Sequence, residues 1–173
     1  MGKRSDFERI PRDFYPTPYK AVIPLLPHLG DEFTFAEPCA GDGRLIEHLE
    51  KHGGICRYAH DIEPMHQRVE QHDALEHGYT QCDFIITNPP WNRKILHPMI
   101  EHFVDQRQTW LLFDSDWMHT KQSIPYLKML KKVVSIGRVK WIEGSTSVGK
   151  DNCCWYLFEN TFKFDTIEFW GRT

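Results

Sequence analysis

The sequence is poor in the features that send a chain through or onto a membrane. No apolar run approaches the ~20 residues that span a bilayer. The first eighteen residues, MGKRSDFERIPRDFYPTP, carry basic side chains but no apolar core, which predicts no secretory signal. Gly2 follows Met1, but Asp6 stands where an acylation signal needs Ser or Thr, so no lipid anchor is expected. Cysteine is sparse and unpatterned: five residues, an odd number, with Cys153 and Cys154 adjacent. That excludes a disulfide scaffold and predicts a reducing, cytoplasmic setting, the host cytoplasm if the protein is viral. Internal repeats and low-complexity tracts are missing. Net charge is only −3, which by itself excludes a generic polyanion binder. Metal-ligand spacing is scarce despite ten histidines. His48 and His52 form an i, i+4 pair, but no second pair accompanies them, so they read as a surface pair and no metal is expected.

What is present suits one globular domain. The 173 residues are 40% hydrophobic, enough for a real core, with a single domain expected over 13–173 behind a flexible stretch at 1–12. Charge is unevenly spread. Residues 31–83 hold twelve acids and four bases, a net of −8; residues 89–150 hold ten bases and five acids, a net of +5. The second half thus offers a basic face to a nucleic acid, DNA above all, with an unevenly charged solvated surface as the alternative.

Strand and helix patterns alternate. FTFAE (33–37), ICRYAHD (55–61), DFIITN (83–88) and TWLLFD (109–114) read as strands, the third apolar enough to be central in a parallel sheet. RLIEHLEKHG (44–53), residues 97–107 and IPYLKMLKK (124–132) read as helices. VVSIGRVKWI (133–142) and CCWYLFE (153–159) read as a strand pair joined by a loop at 143–152, with a last short strand within 165–170. The order predicts an α/β fold: a doubly wound sheet, mostly parallel, with an antiparallel terminal hairpin.

In such sheets ligands sit at the carboxyl ends of the strands. Four stretches fall there. Glu37-Pro38-Cys39-Ala40-Gly41-Asp42-Gly43 joins a strand to a helix with two glycines that admit close backbone approach. Its acids disfavour a pyrophosphate and favour a cation; plain turn chemistry is the alternative. Asp61 ends the next strand, where an acid can accept both ribose hydroxyls or cap a loop. Asp73 can meet an adenine amine or serve as a cap. The last stretch is Asn88-Pro89-Pro90-Trp91. Two prolines stop the strand and stiffen its exit, leaving the Asn88 amide and nearby carbonyls for a ligand's donors. A rigid turn with Trp91 in the core is the alternative. Asp114 and Asp116 point toward the same edge and read chiefly as caps. Cys153 and Cys154 face opposite sides of a strand, which speaks against a joint role. Trp110, Trp117, Trp141, Trp155 and Trp170 read as core.

Taken in order, AEPCAGDGRL, HDIEP, HDAL and DFIITNPPW resemble the class I S-adenosylmethionine-dependent methyltransferases, and NPPW resembles the signature of their DNA adenine-N6 branch. DFYPTPYKAVIPLLPHL (13–29) is similar to that family's cofactor-binding segment, and 138–158 to its closing hairpin. The resemblance implies a Rossmann-like methyltransferase sheet, S-adenosylmethionine as cofactor, and adenine N6 in DNA as acceptor. RNA, a protein amide, or a non-catalytic binding module stand as the alternatives. It implies that Tyr15 and Thr17 meet the methionine end of the cofactor. Glu37, Cys39, Ala40 and Gly41 would line its amino-acid part, Asp61 with Ile62 the ribose, and Asp73 with Ala74 the adenine. Asn88, Pro89, Pro90 and Trp91 would hold and stack the target base, with Asn88 also bordering the cofactor. DNA adenine methyltransferases carry a separate target-recognition region, for which only 92–107 and 143–152 are candidates. Either a short or loose specificity, or a homodimer or partner that supplies recognition, is therefore expected. Small standalone versions resemble phage proteins.

Overall fold

The computed structural model describes residues 15–142, 149–160 and 166–172. The expected flexible stretch at 1–12 and most of the 143–152 loop lie outside the described residues.

Eight strands form one sheet: β1 (Phe33–Glu37), β2 (Gly54–Asp61), β3 (Glu70–Gln71), β4 (Phe84–Thr87), β5 (Gln108–Asp114), β6 (Leu130–Arg138), β7 (Asn152–Phe158) and β8 (Glu168–Trp170), in the order β3-β2-β1-β4-β5-β7-β6-β8. β3, β2, β1, β4 and β5 run parallel; β7 is antiparallel to both its neighbours, and β8 returns parallel to β6. β4 has parallel partners on both sides, which explains why FIIT is apolar on both faces. The helices are α1 (Tyr19–Val22), α2 (Arg44–Glu50), α3 (Arg93–Val104) and α4 (Ile124–Leu127).

Alternation along the strands divides the core into two layers. Ile86, Trp110, Leu112, Cys153, Trp155 and Leu157 pack with α1 and α2. Their neighbours Ile85, Leu111, Phe113, Cys154, Tyr156 and Phe158 pack with α3. The two adjacent cysteines do face opposite sides. On α3, Leu96, Met99, Ile100, Phe103 and Val104 follow the i, i+3, i+4, i+7, i+8 pattern and are all buried. At about 1.5–3 kcal/mol for each fully buried side chain, that stripe outweighs Pro98 inside the helix. Trp155 Nε1 donates to Ala21 O at 2.7 Å and pins α1 to the sheet.

Several boundaries differ from the sequence reading. The helix expected over 124–132 ends at Leu127, and β6 begins at Leu130. Pairing of Leu130 with Phe158, and of the β-branched Val133 and Val134 with β7, overrides local helix preference. α3 begins at Arg93 rather than 97 because the Asn92 side chain accepts from Lys94 N at 3.0 Å and caps it. The two-residue β3 and the 3₁₀ turn at Ser115–His119 are too short to show in a pattern. Trp110, Trp117 and Trp155 are core, Trp141 is partly buried, but Trp170 is 51% exposed on the edge strand β8. There its ring lies beside Lys132 and His28 instead of within the core.

Candidate functional site

The chain winds from β1 outward to β2 and β3, then returns to the other side of β1 with β4 and β5. Loops at the carboxyl ends of β1 and β4 therefore diverge and leave a crevice. A cavity of about 950 Å³ opens there, at the upper end of the roughly 300–1,000 Å³ usual for small-molecule sites.

The β1–α2 turn forms its floor. Gly41 and Gly43 hold φ of 50° and 79°, in the left-handed region where glycine is strain-free. Gly41 N donates to Asp61 Oδ2 at 2.8 Å, and Glu63 N donates to Asp61 Oδ1 at 2.8 Å. One carboxylate thus braces both the glycine turn and the loop after β2, and each oxygen keeps a lone pair. Asp73 is braced likewise, with Leu75 N donating to its Oδ1 at 2.9 Å. Both acids brace turns and also line the cavity.

Glu37 is 1% exposed and sits at the end of β1. Its Oε1 accepts from Cys39 N at 3.2 Å, while Oε2 is buried without a hydrogen-bond partner. Burial raises its pKa to about 8; the nearby Thr87 hydroxyl and the Cys39 N–H act the other way, and the Asp61 charge adds to the rise. Burial, with the neighbouring Glu37 adding to it, also pushes the Cys39 thiol well up, which disfavours a thiolate nucleophile. Glu37, Asp42, Asp61, Glu63 and Asp73 all line the cavity, and among the described residues no Lys, Arg or His does. A cationic ligand fits that wall and an anionic one does not.

At the β4 end, the Asn88 amide is fixed by donors and acceptors on three sides. Its Nδ2 donates to Tyr15 O at 3.1 Å and to Thr17 Oγ1 at 3.2 Å. Its Oδ1 accepts from Trp91 Nε1 at 3.2 Å, and the same N–H reaches Leu112 O at 3.1 Å. These partners orient the amide and leave Oδ1 one further lone pair. Arg93 ties the motif to β5, donating to Trp91 O at 3.4 Å and pairing with Asp114 Oδ2 at 2.5 Å. Asp114 makes no side-chain cap hydrogen bond at the turn it precedes.

Of the residues singled out from sequence, Tyr15, Thr17, Glu37, Cys39, Ala40, Asp61, Ile62, Asp73, Ala74, Asn88 and Pro90 line the one cavity. Gly41, Pro89 and Trp91 do not. Gly41 acts through its N–H on Asp61, and Pro89 is buried. Trp91 is partly buried rather than exposed, packed edge-on to Trp141 at 5.7 Å. The cavity adds Met65, Leu75, Ile95 and Met99, none of which the sequence reading singled out. Met65, Leu75 and Ile95 are large apolar side chains left exposed, and the α3 pattern that contains Ile95 and Met99 was the available signal.

No protein-family model and no curated protein sequence matches the chain. Solved structures do. A candidate RNA methyltransferase from Pyrococcus horikoshii superposes with a TM-score of 0.57 at 15% identity, over 91% of this chain and 92% of that one. A candidate class I S-adenosylmethionine-dependent methyltransferase from Listeria monocytogenes gives 0.63 at 8% identity, over 96% and 68%. A dimethyladenosine transferase from Plasmodium falciparum gives 0.56 at 15%, over 84% and 62%. The fold is the Rossmann-like methyltransferase fold. At such identities the likeness is one of architecture.

Proposed function

We propose that the protein is an S-adenosylmethionine-dependent methyltransferase that methylates the exocyclic N6 amine of adenine in DNA. The observation that carries the reading is a single cavity walled on one side by five carboxylates and on the other by the oriented Asn88 amide. Glu37, Asp61 and Asp73 would hold the ammonium, ribose and adenine of the cofactor, and the unpartnered Glu37 Oε2 is an acceptor suited to that ammonium. When bound, the cofactor supplies a sulfonium-activated methyl group.

The adenine amine is a weak nucleophile because its lone pair is delocalised into the ring. Asn88 Oδ1 accepts one of its hydrogens and favours the pyramidal nitrogen that attacks. The Pro89 carbonyl, next in the chain, is the proposed second acceptor. Pro89-Pro90 keeps both in place, and the amine proton leaves to solvent after transfer. A duplex base must be flipped out to arrive. The part of Trp91 left exposed is the proposed stacking face. Residues 93–104 form a helix with one face in the core, and recognition of flanking sequence is proposed to be short or loose, or to come from a second copy or a partner.

RNA is the second acceptor, favoured by the names of similar structures, which include a 23S rRNA methyltransferase. Nucleoside mass spectrometry on DNA and RNA incubated with protein and cofactor separates the two. N6-methyladenine in DNA that is lost with Asn88→Ala supports the proposal. Methylation confined to RNA moves the acceptor, and no methylated nucleoside alongside measurable cofactor binding leaves a protein substrate or a binding module. Marking of viral DNA in a host cytoplasm is the proposed biological setting. Digestion of DNA from expressing cells with methylation-sensitive nucleases tests it, and an unchanged pattern counts against it.

A further inference from the structure

Away from the cavity, His60 near the end of β2, His72 just after β3 and His77 before β4 come together. One ring nitrogen of each lies within 4.8 Å of the other two. The ring centroids are 4.3 Å apart for His60–His72 and His60–His77, and 4.9 Å for His72–His77. A carboxylate joins them. Glu70 Oε2 is 3.9 Å from His60 Nε2 and 3.5 Å from His72 Nε2. His60 is 4% exposed, and its Nδ1 is buried with no hydrogen-bond partner. His72 keeps 41% of its side chain exposed, so the cluster opens to solvent.

Aromatic packing accounts for part of this, since Tyr58 meets His60 and His77 edge-on. It does not account for a carboxylate converging on the Nε2 atoms of two imidazoles.

We propose that His60, His72, His77 and Glu70 bind one divalent transition-metal ion of the zinc class. Three imidazole nitrogens and one carboxylate oxygen are the donor set such ions prefer. Tetrahedral bonds of about 2.0–2.2 Å place donors about 3.3–3.6 Å apart. The carboxylate contacts are already close to that spacing, and Glu70, with 75% of its side chain exposed, is free to adjust. Four protein ligands close the coordination sphere, so the ion is a clamp and not a water activator. It would tie the ends of β2 and β3 to the segment before β4. Asp61, Asp73 and Ala74 lie between the ligands in sequence and wall the cavity. The proposal stands apart from the methyl-transfer reading, because metal affinity is measured without cofactor or acceptor.

The test is titration of the untagged, chelator-stripped full chain with Co²⁺ by visible absorption, followed by displacement with Zn²⁺. The expected result is one equivalent bound with the intense bands of tetrahedral Co²⁺. His72→Gln and His77→Gln should each weaken binding at least tenfold. A His48→Gln/His52→Gln control should bind as the parent does. Zn²⁺ should raise the melting midpoint of the parent by several degrees and leave that of His72→Gln unmoved. A weak octahedral spectrum overturns the proposal. So does parent affinity no tighter than that of a His72→Gln/His77→Gln variant whose melting in chelator matches the parent.

Discussion

In the proposed reaction Asn88 carries the greatest chemical load for a single side chain. Replacing it with Ala removes the acceptor and frees Trp91 Nε1, Tyr15 O and Thr17 Oγ1 from their partner. The expected outcome is a fall in kcat of about 10²–10³-fold, with cofactor affinity nearly intact, read by single-turnover kinetics and calorimetry. Equal loss of cofactor binding would make Asn88 a structural residue. Trp91→Phe keeps an aromatic face but removes the pyrrole half of the indole, and with it the N–H to Asn88 Oδ1 and Leu112 O. At about 1 kcal/mol for one net hydrogen bond, kcat should drop roughly fivefold. A kcat equal to the parent's would mean that Trp91 does not position the amide. Glu37 makes the pH prediction. Its folded-state pKa of about 8 lies above the ordinary 4.5, so the cofactor-free fold retains a proton that the unfolded chain releases. Stability from that proton is complete below pH 4.5 and is lost as pH rises through 8. In the proposed complex an ammonium drawn against Glu37 would ionise it. Cofactor affinity should therefore rise with pH across that window, by up to about tenfold per unit, with proton release. Calorimetry in buffers of different ionisation enthalpy reads the release, and Glu37→Gln should flatten both trends.

At the scale of elements, the sequence announced what repeats and hid what is brief. β1, β2, β4, β5 and β7 were legible because each is a run of apolar or alternating residues, and they are found within a residue or two of their expected ends. The turn between β1 and α2 was legible because two glycines punctuate it. β6 was misread at its start because Leu130-Lys131-Lys132 continues a helical pattern, and only the partner β7, some twenty residues on, decides otherwise. The His60–His72–His77 cluster was invisible because its spacing belongs to no helix or hairpin; folding alone brings it together. Trp91's inward N–H was likewise beyond sequence, since its acceptor Leu112 O belongs to another strand. α3 offers a test of how far packing dominates. Pro98 is exposed and sits inside the helix, where proline costs up to about 3 kcal/mol against alanine. Pro98→Ala should stabilise the protein by about 1–3 kcal/mol in denaturant unfolding; no gain would mean that α3 is already bent to suit the ring.

For the whole molecule, the charge asymmetry read from sequence is thinned by internal use. Arg93 pairs with Asp114, Lys132 with Glu168 at 3.1 Å, and Arg107 donates to Cys82 O, Gln106 O and Thr80 O. Lys94, Lys121, Lys128, Arg138, Lys140 and Lys150 are exposed. Lys94 adjoins the cavity-lining Asn92 and Ile95, and Lys140 adjoins Trp141, whose ring lies 6.2 Å from that of Tyr15. If these two lysines meet phosphates, reversing both to Glu should weaken DNA binding irrespective of sequence and lower the salt slope by about one for each lysine. A slope equal to the parent's in a salt titration would place the backbone contacts elsewhere.

The position of β7 has a consequence for synthesis. It lies between β5 and β6 in the sheet yet follows both in the chain, and among the described strands only β8 comes later. As the polypeptide leaves the ribosome, β5 and β6 emerge with no partner between them. Trp110, Leu112, Val133 and Val134 then lack their β7 neighbours until residues 152–158 arrive. Joining of β5 to β6 across β7 is therefore a late event governed by long-range pairing. Nascent chains stalled before residue 152 should remain protease-sensitive and dependent on chaperones, whereas those stalled once it has cleared the tunnel should not.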